Sequence, residues 1–306
     1  MELYRKYRPK TFDEVIGNDI AVKTIKKELE NGTHVFLMVG NAGCGKTTLA
    51  RIIASEVGAG DLSITEINSA DNRGIDTARD ILDKMRFNPA DGSAMIWILD
   101  EVHMITNAGQ NALLKALEEV PESVYFVLCT TDPQKLIEPL KSRCSVINVK
   151  PLDKDNMIYL LKKVSRAEKI KCGIEVYERI AELSNGGSRK ALKLLAKVLY
   201  LEDDEERLEA LKDADMNDNP ETLELCRALL KDKCSWSRIV QILKGIDLGD
   251  PEKVRQSVMG YMNSVLMNKY NERAVAAMQA FSEADTYRNG KFAITVACLD
   301  FVGMIS

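Results

Sequence analysis

Six residues, His34-Val35-Phe36-Leu37-Met38-Val39, run without a formal charge into Gly40-Asn41-Ala42-Gly43-Cys44-Gly45-Lys46-Thr47, and a helical pattern from 46 to about 57 follows at once. A continuous apolar run ending in glycine is what a central parallel strand, covered on both faces, requires. The glycines let consecutive main-chain N–H groups converge at a helix N-terminus, where partial positive charge favours phosphate. Such a strand, loop and helix constrain the chain to an α/β layer with a phosphate cradle at one sheet edge. Within it, Lys46 is placed to reach the β- and γ-phosphates and Thr47 to bind Mg²⁺ through its hydroxyl, with Thr48 continuing the first helical turn.

A second apolar run, Met95-Ile96-Trp97-Ile98-Leu99, ends in Asp100-Glu101. A carboxylate at that end of a neighbouring strand can hold the metal's water shell, which assigns Asp100 to Mg²⁺ and Glu101 to the attacking water. No Asn-Lys-x-Asp motif for reading guanine occurs, so ATP is the expected nucleotide. His103 reads as a hydrogen-bonded structural group, and no chemistry is assigned to it.

Around these motifs, strands near 64–68 and 124–129 alternate with amphipathic helices, including one from Gly74 to about Arg86 with Ile75, Ala78, Ile81, Leu82 and Met85 on one side. Alternation over about 150 residues predicts a parallel sheet with right-handed crossovers. Beyond Pro151 the chain turns helical, with helices expected over 153–167, 174–184 and 187–200, and the acidic run at 202–206 marks a boundary. Pro220, Ser235 and Asp250-Pro251 stand where helix starts are expected. The expected architecture is an α/β P-loop domain over 1–151, a small helical lid over 152–202 and an all-α domain over 203–306.

The N-terminus lacks the apolar stretch of a signal peptide and no run is long enough to span a bilayer, so a cytoplasmic protein is expected, with no membrane partner. Seven cysteines, odd in number and with no C-x-x-C pair, read as reduced thiols. A net charge of −4 argues against bulk attraction to nucleic acid and leaves any DNA contact to a local basic patch.

Taken together, the N-terminal Leu3-Tyr4-Arg5-Lys6-Tyr7-Arg8-Pro9, Thr11-Phe12-Asp13-Glu14-Val15-Ile16-Gly17, the P-loop, Asp100-Glu101-Val102-His103-Met104 and Ser142-Arg143-Cys144 resemble the sliding-clamp loader ATPases of the AAA+ superfamily. The likeness is to bacterial DNA polymerase III gamma/tau and replication factor C small subunits. The resemblance implies that Tyr4, Arg8 and Pro9 lie against adenine, that Thr131 is sensor 1 and that Arg189 is sensor 2, reaching the γ-phosphate from the lid. It also implies that Arg143 is an arginine finger acting on a neighbouring subunit's ATP, and that Arg73, Arg79 and Lys84 track a DNA backbone. The implied partners are other clamp-loader subunits, in a homo- or hetero-oligomer expected to be pentameric, a sliding clamp and primer-template DNA. Gamma/tau proteins carry a four-cysteine zinc module after the P-loop helix, whereas 54–65 here contains no cysteine, so zinc is not expected.

Two other readings stand beside the motor subunit: a non-hydrolysing scaffold of the same complex, and another AAA+ DNA remodeller of the branch-migration or recombination type. Intact Lys46, Thr47, Asp100 and Glu101 count against the first. The Ser-Arg-Cys motif and a C-terminal region that reads as purely helical count against the second.

Overall fold

The computed structural model describes residues 2–85, 87, 89–217, 220–231, 235–246, 251–286 and 290–305. Of the positions referred to above, Arg86, Asp250 and one of the seven cysteines, Cys234, lie outside the described residues. The chain divides into two compact units, Met1–Arg207 and Leu208–Ser306. The segment 152–202, expected as a separate lid, falls within the first.

That first unit is built on a five-stranded parallel sheet of order β2-β3-β4-β1-β5. Its strands are β1 (Val35–Val39), β2 (Ala59–Asn68), β3 (Ala94–Asp100), β4 (Val124–Thr130) and β5 (Ser145–Asn148). The P-loop strand β1 sits between β4 and β5, with Val39 opposite Thr130 and Asn148. Since every strand is parallel, the C-terminal ends of β1, β3 and β4 share one edge, which is where open α/β sheets present ligand sites.

Successive side chains alternate between the faces of a strand, and each face here has its own helical cover. Phe36, Met38, Ile96, Ile98, Val127 and Cys129 pack against Ile25 of α2 (Asp19–Glu30) and Ile52 and Ile53 of α3 (Lys46–Glu56). On the opposite face Val35, Leu37, Trp97, Leu99 and Leu128 meet Ile81 of α4 (Ile75–Lys84) and Leu113 and Ala116 of α5 (Asn107–Glu118). This double cover explains why β1 and β3 read as unbroken apolar runs.

Two strands differ from expectation. β2 begins at Ala59 rather than near 64, with a register shift between Ala59 and Ile64 and an antiparallel bridge from Ala59 to Gly92. β5 was not anticipated at all, because only four residues pair and Val146 is half exposed while Ile147 is buried. A short edge strand has little apolar signal and is a common way to blunt a sheet edge.

In sequence, short α1 (Leu3–Lys6) precedes the sheet and short α6 (Glu138–Lys141) falls between β4 and β5. After the sheet come α7 (Lys154–Ala167), α8 (Ile174–Ser184), α9 (Ser188–Val198) and α10 (Asp204–Asn217), with Leu161, Val164, Ile180 and Leu195 turned inward. The Asp153 carboxylate accepts from Asn156 N at 2.8 Å and caps α7. In the second unit, α11 (Pro220–Leu230), α12 (Trp236–Gly245), α13 (Pro251–Asn268), α14 (Glu272–Ser282) and α15 (Lys291–Ile305) surround Leu225, Leu229, Ile239, Val258, Phe281 and Phe301. Ser235 caps α12 and Asn271 caps α14, each accepting a main-chain N–H from three residues on. Among the described residues no helix is long and apolar enough to cross a membrane.

Candidate functional site

The loop after β1 owes its path to two kinds of glycine. Gly43 and Gly45 have φ of 76° and 109°, a region that side chains with a Cβ avoid. Gly40 is needed for space: an added Cβ would stand 2.2 Å from Val149 O and 3.0 Å from Cys44 Sγ. Gly40→Ala is therefore expected to lower stability by about 1–3 kcal/mol through overpacking against the backbone, read as a fall in thermal midpoint. An unchanged midpoint would show that the strand end can move aside.

Lys46 opens α3 and is buried, its Nζ donating to Gly40 O at 2.8 Å and Asn41 O at 3.0 Å. Its ammonium therefore lies folded over the loop that precedes it. Thr47 Oγ1 donates to Asp100 Oδ2 at 3.0 Å, joining the first helical turn to the end of β3. Two hard oxygen donors this close suit Mg²⁺, which takes one or two carboxylates and completes its shell from phosphate and water. A protein-only cage is not required for such a site. Among the described residues there is no group of three or more His, Cys, Asp or Glu side chains that could form one.

Glu101 leaves the strand with φ 49° and ψ 46°, a left-handed conformation costly for a residue with a side chain. Asp100 Oδ1 accepts the Glu101 N–H at 3.1 Å and steadies that turn. Beyond the turn, Thr131 Oγ1 donates to Glu101 Oε2 at 3.0 Å, so the residue expected as sensor 1 does reach the carboxylate expected to handle water.

Lys46, Thr47, Asp100 and Glu101 face a cavity of about 520 Å³, whose lining does not include Gly40, Asn41 or Thr131. Its lining takes in Tyr4, Arg8 and Pro9 from the N-terminal segment, residues 42–48 of the loop, Asp100, Glu101 and, from α9, Arg189. Arg189 lies over the Tyr4 ring at 5.7 Å, and Ser188 Oγ donates to Gly43 O at 3.2 Å, tying the helix to the loop. Burial pulls the Arg8 guanidinium below its usual pKa, with Arg51 nearby adding to the effect. Cys44 is buried and its thiol is pushed up by desolvation, so its contribution is through the backbone.

Sequence reasoning missed the apolar wall supplied by Ile16, Leu152, Leu160, Val164 and Leu192. Helical spacing marks Leu160, Val164 and Leu192 as inward, but nothing local says that the inward face meets a cavity. Also unforeseen is a clasp in which Lys6 Nζ and Tyr7 Oη donate to Glu168 Oε1 at 2.7 and 2.6 Å. It fastens the N-terminal segment to the end of α7 across a separation of more than 160 residues. Buried Gln110 is a third omission: its amide donates to Ile105 O and Lys135 O and its Oε1 accepts from Ile137 N, joining α5 to the loop after β4.

Arg143 stands apart from the cavity lining. One guanidinium nitrogen donates to Pro139 O at 2.8 Å and the other pairs with Glu118. Its neighbours are tied to the preceding helix: exposed Ser142 Oγ donates to Pro139 O at 3.0 Å and the partly buried Cys144 thiol to Leu140 O at 3.1 Å, with burial pushing that thiol up to about 12. The motif thus anchors both sides of an arginine whose side chain remains one third exposed.

On the sheet face covered by α4 and α5, Arg73, Arg79 and Lys84 are all exposed, at the start and along α4. Arg73 Nε donates to Ala70 O at 2.7 Å, and Arg79 lies 3.2 Å from the Asp76 carboxylate. A phosphate would have to compete with that carboxylate for Arg79.

Comparison with known proteins finds relatives over part of the chain. A family model described as DNA polymerase III, delta subunit, matches residues 57–153. The chain is 34% identical over 225 residues to DNA polymerase III subunit tau of Bacillus subtilis, covering 66% of this chain and 40% of that protein. It is 31% identical over 224 residues to subunit gamma/tau of Mycobacterium tuberculosis, covering 65% and 39%. For subunit tau of Escherichia coli the identity is 34% over 215 residues, covering 63% and 33%. The match therefore spans about two fifths or less of these three relatives' own length. Among solved structures, the Thermotoga maritima RuvB Holliday junction branch migration motor aligns at TM-score 0.53 and 19% identity, over 92% of this chain and 80% of that one. At that identity the likeness concerns the fold alone. Over about two thirds of its length this chain is similar to the gamma and tau subunits of DNA polymerase III.

Proposed function

We propose that the chain is an ATP-hydrolysing motor subunit of a DNA sliding-clamp loader. The observation that carries this reading is the meeting, at one sheet edge, of the glycine loop with its buried Lys46, the Thr47–Asp100 pair at 3.0 Å and the Glu101 carboxylate. ATP would lie with its base against Tyr4, Arg8 and Pro9 and its phosphates on the loop amides, where helix α3 adds its N-terminal dipole. Thr47 and Asp100 would hold Mg²⁺, which would supply positive charge against the phosphates.

In hydrolysis the water oxygen attacks the γ-phosphorus and passes its proton to Glu101. The bridging bond to the β-phosphate breaks, and its electron pair leaves with ADP. Lys46, Arg189 from the lid and Arg143 from an adjacent subunit would each set positive charge against the oxygens that gain it. Residues 1–151, 152–202 and 203–306 would act as nucleotide domain, lid and oligomerisation collar. In the assembled loader, ATP binding would hold an open clamp and engage primer-template DNA through sequence-independent phosphate contacts from Arg73, Arg79 and Lys84, and hydrolysis would release both.

Glu101→Gln is the direct test. It keeps the shape and the acceptor of Thr131 but removes the base, so ATP affinity should stay within a few fold while turnover falls by about 10²–10⁴-fold. Assays with and without clamp and primed DNA also separate motor from scaffold. Wild-type turnover at background level with all partners present would reject hydrolysis by this chain.

A further inference from the structure

One titratable side chain beside the site has no task in the scheme above. His103 lies on the short 3-10 turn Val102–Met104, its side chain nine-tenths buried. Its Nδ1 is 3.1 Å from Thr130 Oγ1 and 3.3 Å from Glu101 Oε2. Thr130 is itself fully buried at the end of β4, and its hydroxyl oxygen accepts the Asp132 N–H at 3.0 Å. The imidazole is thus wedged between the strand next to the P-loop strand and the carboxylate at the end of β3.

We propose that His103 is a positioning residue for Glu101, its single Nδ1–H shared between Glu101 Oε2 and the nearer Thr130 hydroxyl oxygen. This rests on the functional reading given to Glu101 above. An Nδ1 without a proton would set its lone pair against those of the carboxylate at 3.3 Å, a repulsion in a partly buried place, so the Nδ1–H tautomer is the one the geometry favours. Oε2 then receives two donors, His103 Nδ1–H and the Thr131 hydroxyl. Among the described residues Oε1 has no donor, and it is the oxygen left to take a proton from water. Two anchors on one carboxylate oxygen fix the rotation of a side chain whose backbone is already held in the left-handed region. Carboxylate aim matters to rate because a shift of about 1 Å at a reacting group can cost about 10²-fold.

The chain holds only two histidines, His34 and His103, so ¹⁵N-labelled imidazole signals in the nucleotide-free protein can be assigned by a single His103→Phe comparison. His103 is expected to carry its proton on Nδ1, and Glu101→Gln is expected to move its nitrogen signals. In the complete ATPase assembly, His103→Phe, which keeps a packed ring, should lower kcat by about 10- to 100-fold with ATP affinity unchanged. His103→Asn places an amide nitrogen where Nδ1 stood and should recover most of the loss. Wild-type kcat in His103→Phe, a protonated Nε2 with signals indifferent to Glu101→Gln, or no recovery in a folded His103→Asn would each overturn the proposal. Should the wild-type assembly fail to hydrolyse ATP, the ATPase reading falls on its own, and the resonance experiment still decides whether His103 donates to Glu101.

Discussion

Arg143→Ala is expected to leave ATP binding by the isolated chain unchanged and to cut hydrolysis in the assembled particle by about 10³–10⁵-fold, the range over which a supplied guanidinium stabilises phosphoryl transfer. The expectation follows from where the structure puts this side chain. It does not line the cavity of its own chain, it is one third exposed, and the residues on either side of it are held to the preceding helix through Pro139 O and Leu140 O. Its partner Glu118 is itself half exposed, and exposed ion pairs contribute little, so a neighbour's triphosphate can displace it. The measurement is turnover with clamp and primed DNA, alongside nucleotide titration of the isolated variant. A mixing experiment adds a second readout where copies of this chain neighbour one another. Arg143→Ala subunits keep an intact Glu101, and Glu101→Gln subunits keep an intact finger. Combining the two inactive proteins should therefore restore partial activity. Wild-type turnover in the assembled Arg143→Ala particle would remove the finger from the account.

Lys46→Ala is expected to weaken ATP binding by about 30- to 5,000-fold. Truncating one partner of a desolvated, hydrogen-bonded charge pair costs roughly 2–5 kcal/mol, and the triphosphate would lose its only buried cation among the described residues of the loop and its helix. Because Nζ also bonds Gly40 O and Asn41 O, the variant must be shown to fold. Far-ultraviolet circular dichroism and a thermal midpoint within a few degrees of wild type would suffice. Calorimetric titration then reads affinity directly. A dissociation constant within threefold of wild type would mean that residues 40–47 do not cradle phosphate, and the ATPase reading would fail with it.

The two expectations differ in how far the chain's own letters support them. That a loop able to bind phosphate follows β1 is readable from 34–47, because strand, glycine turn and helix start are all set by residues within a few positions of one another. The same holds for Asp100 and Glu101 at the end of an apolar run, and for helices such as Ile174–Ser184, whose observed limits match those expected from apolar spacing. In these places burial on both sheet faces, helical periodicity and the tolerance of glycine for positive φ act locally, so a short window of sequence carries the information.

Contacts between distant segments had no such window. The order β2-β3-β4-β1-β5 sets β4 between β3 and β1, and this places Thr130 against His103 and Thr131 against Glu101. Tyr7 meets Glu168 only because α7 and the N-terminal segment pack on the same side of the cavity. Strand β5 pairs through four residues whose own composition is half exposed, and its place depends on β1 offering a free edge. The amino-acid sequence alone determined the phosphate loop, the acidic pair and the helical segments, since each depends on neighbours along the chain. The tertiary structure decided which strand ends meet, which histidine reaches the carboxylate and what walls the cavity, since those depend on burial shared between segments that no local pattern connects.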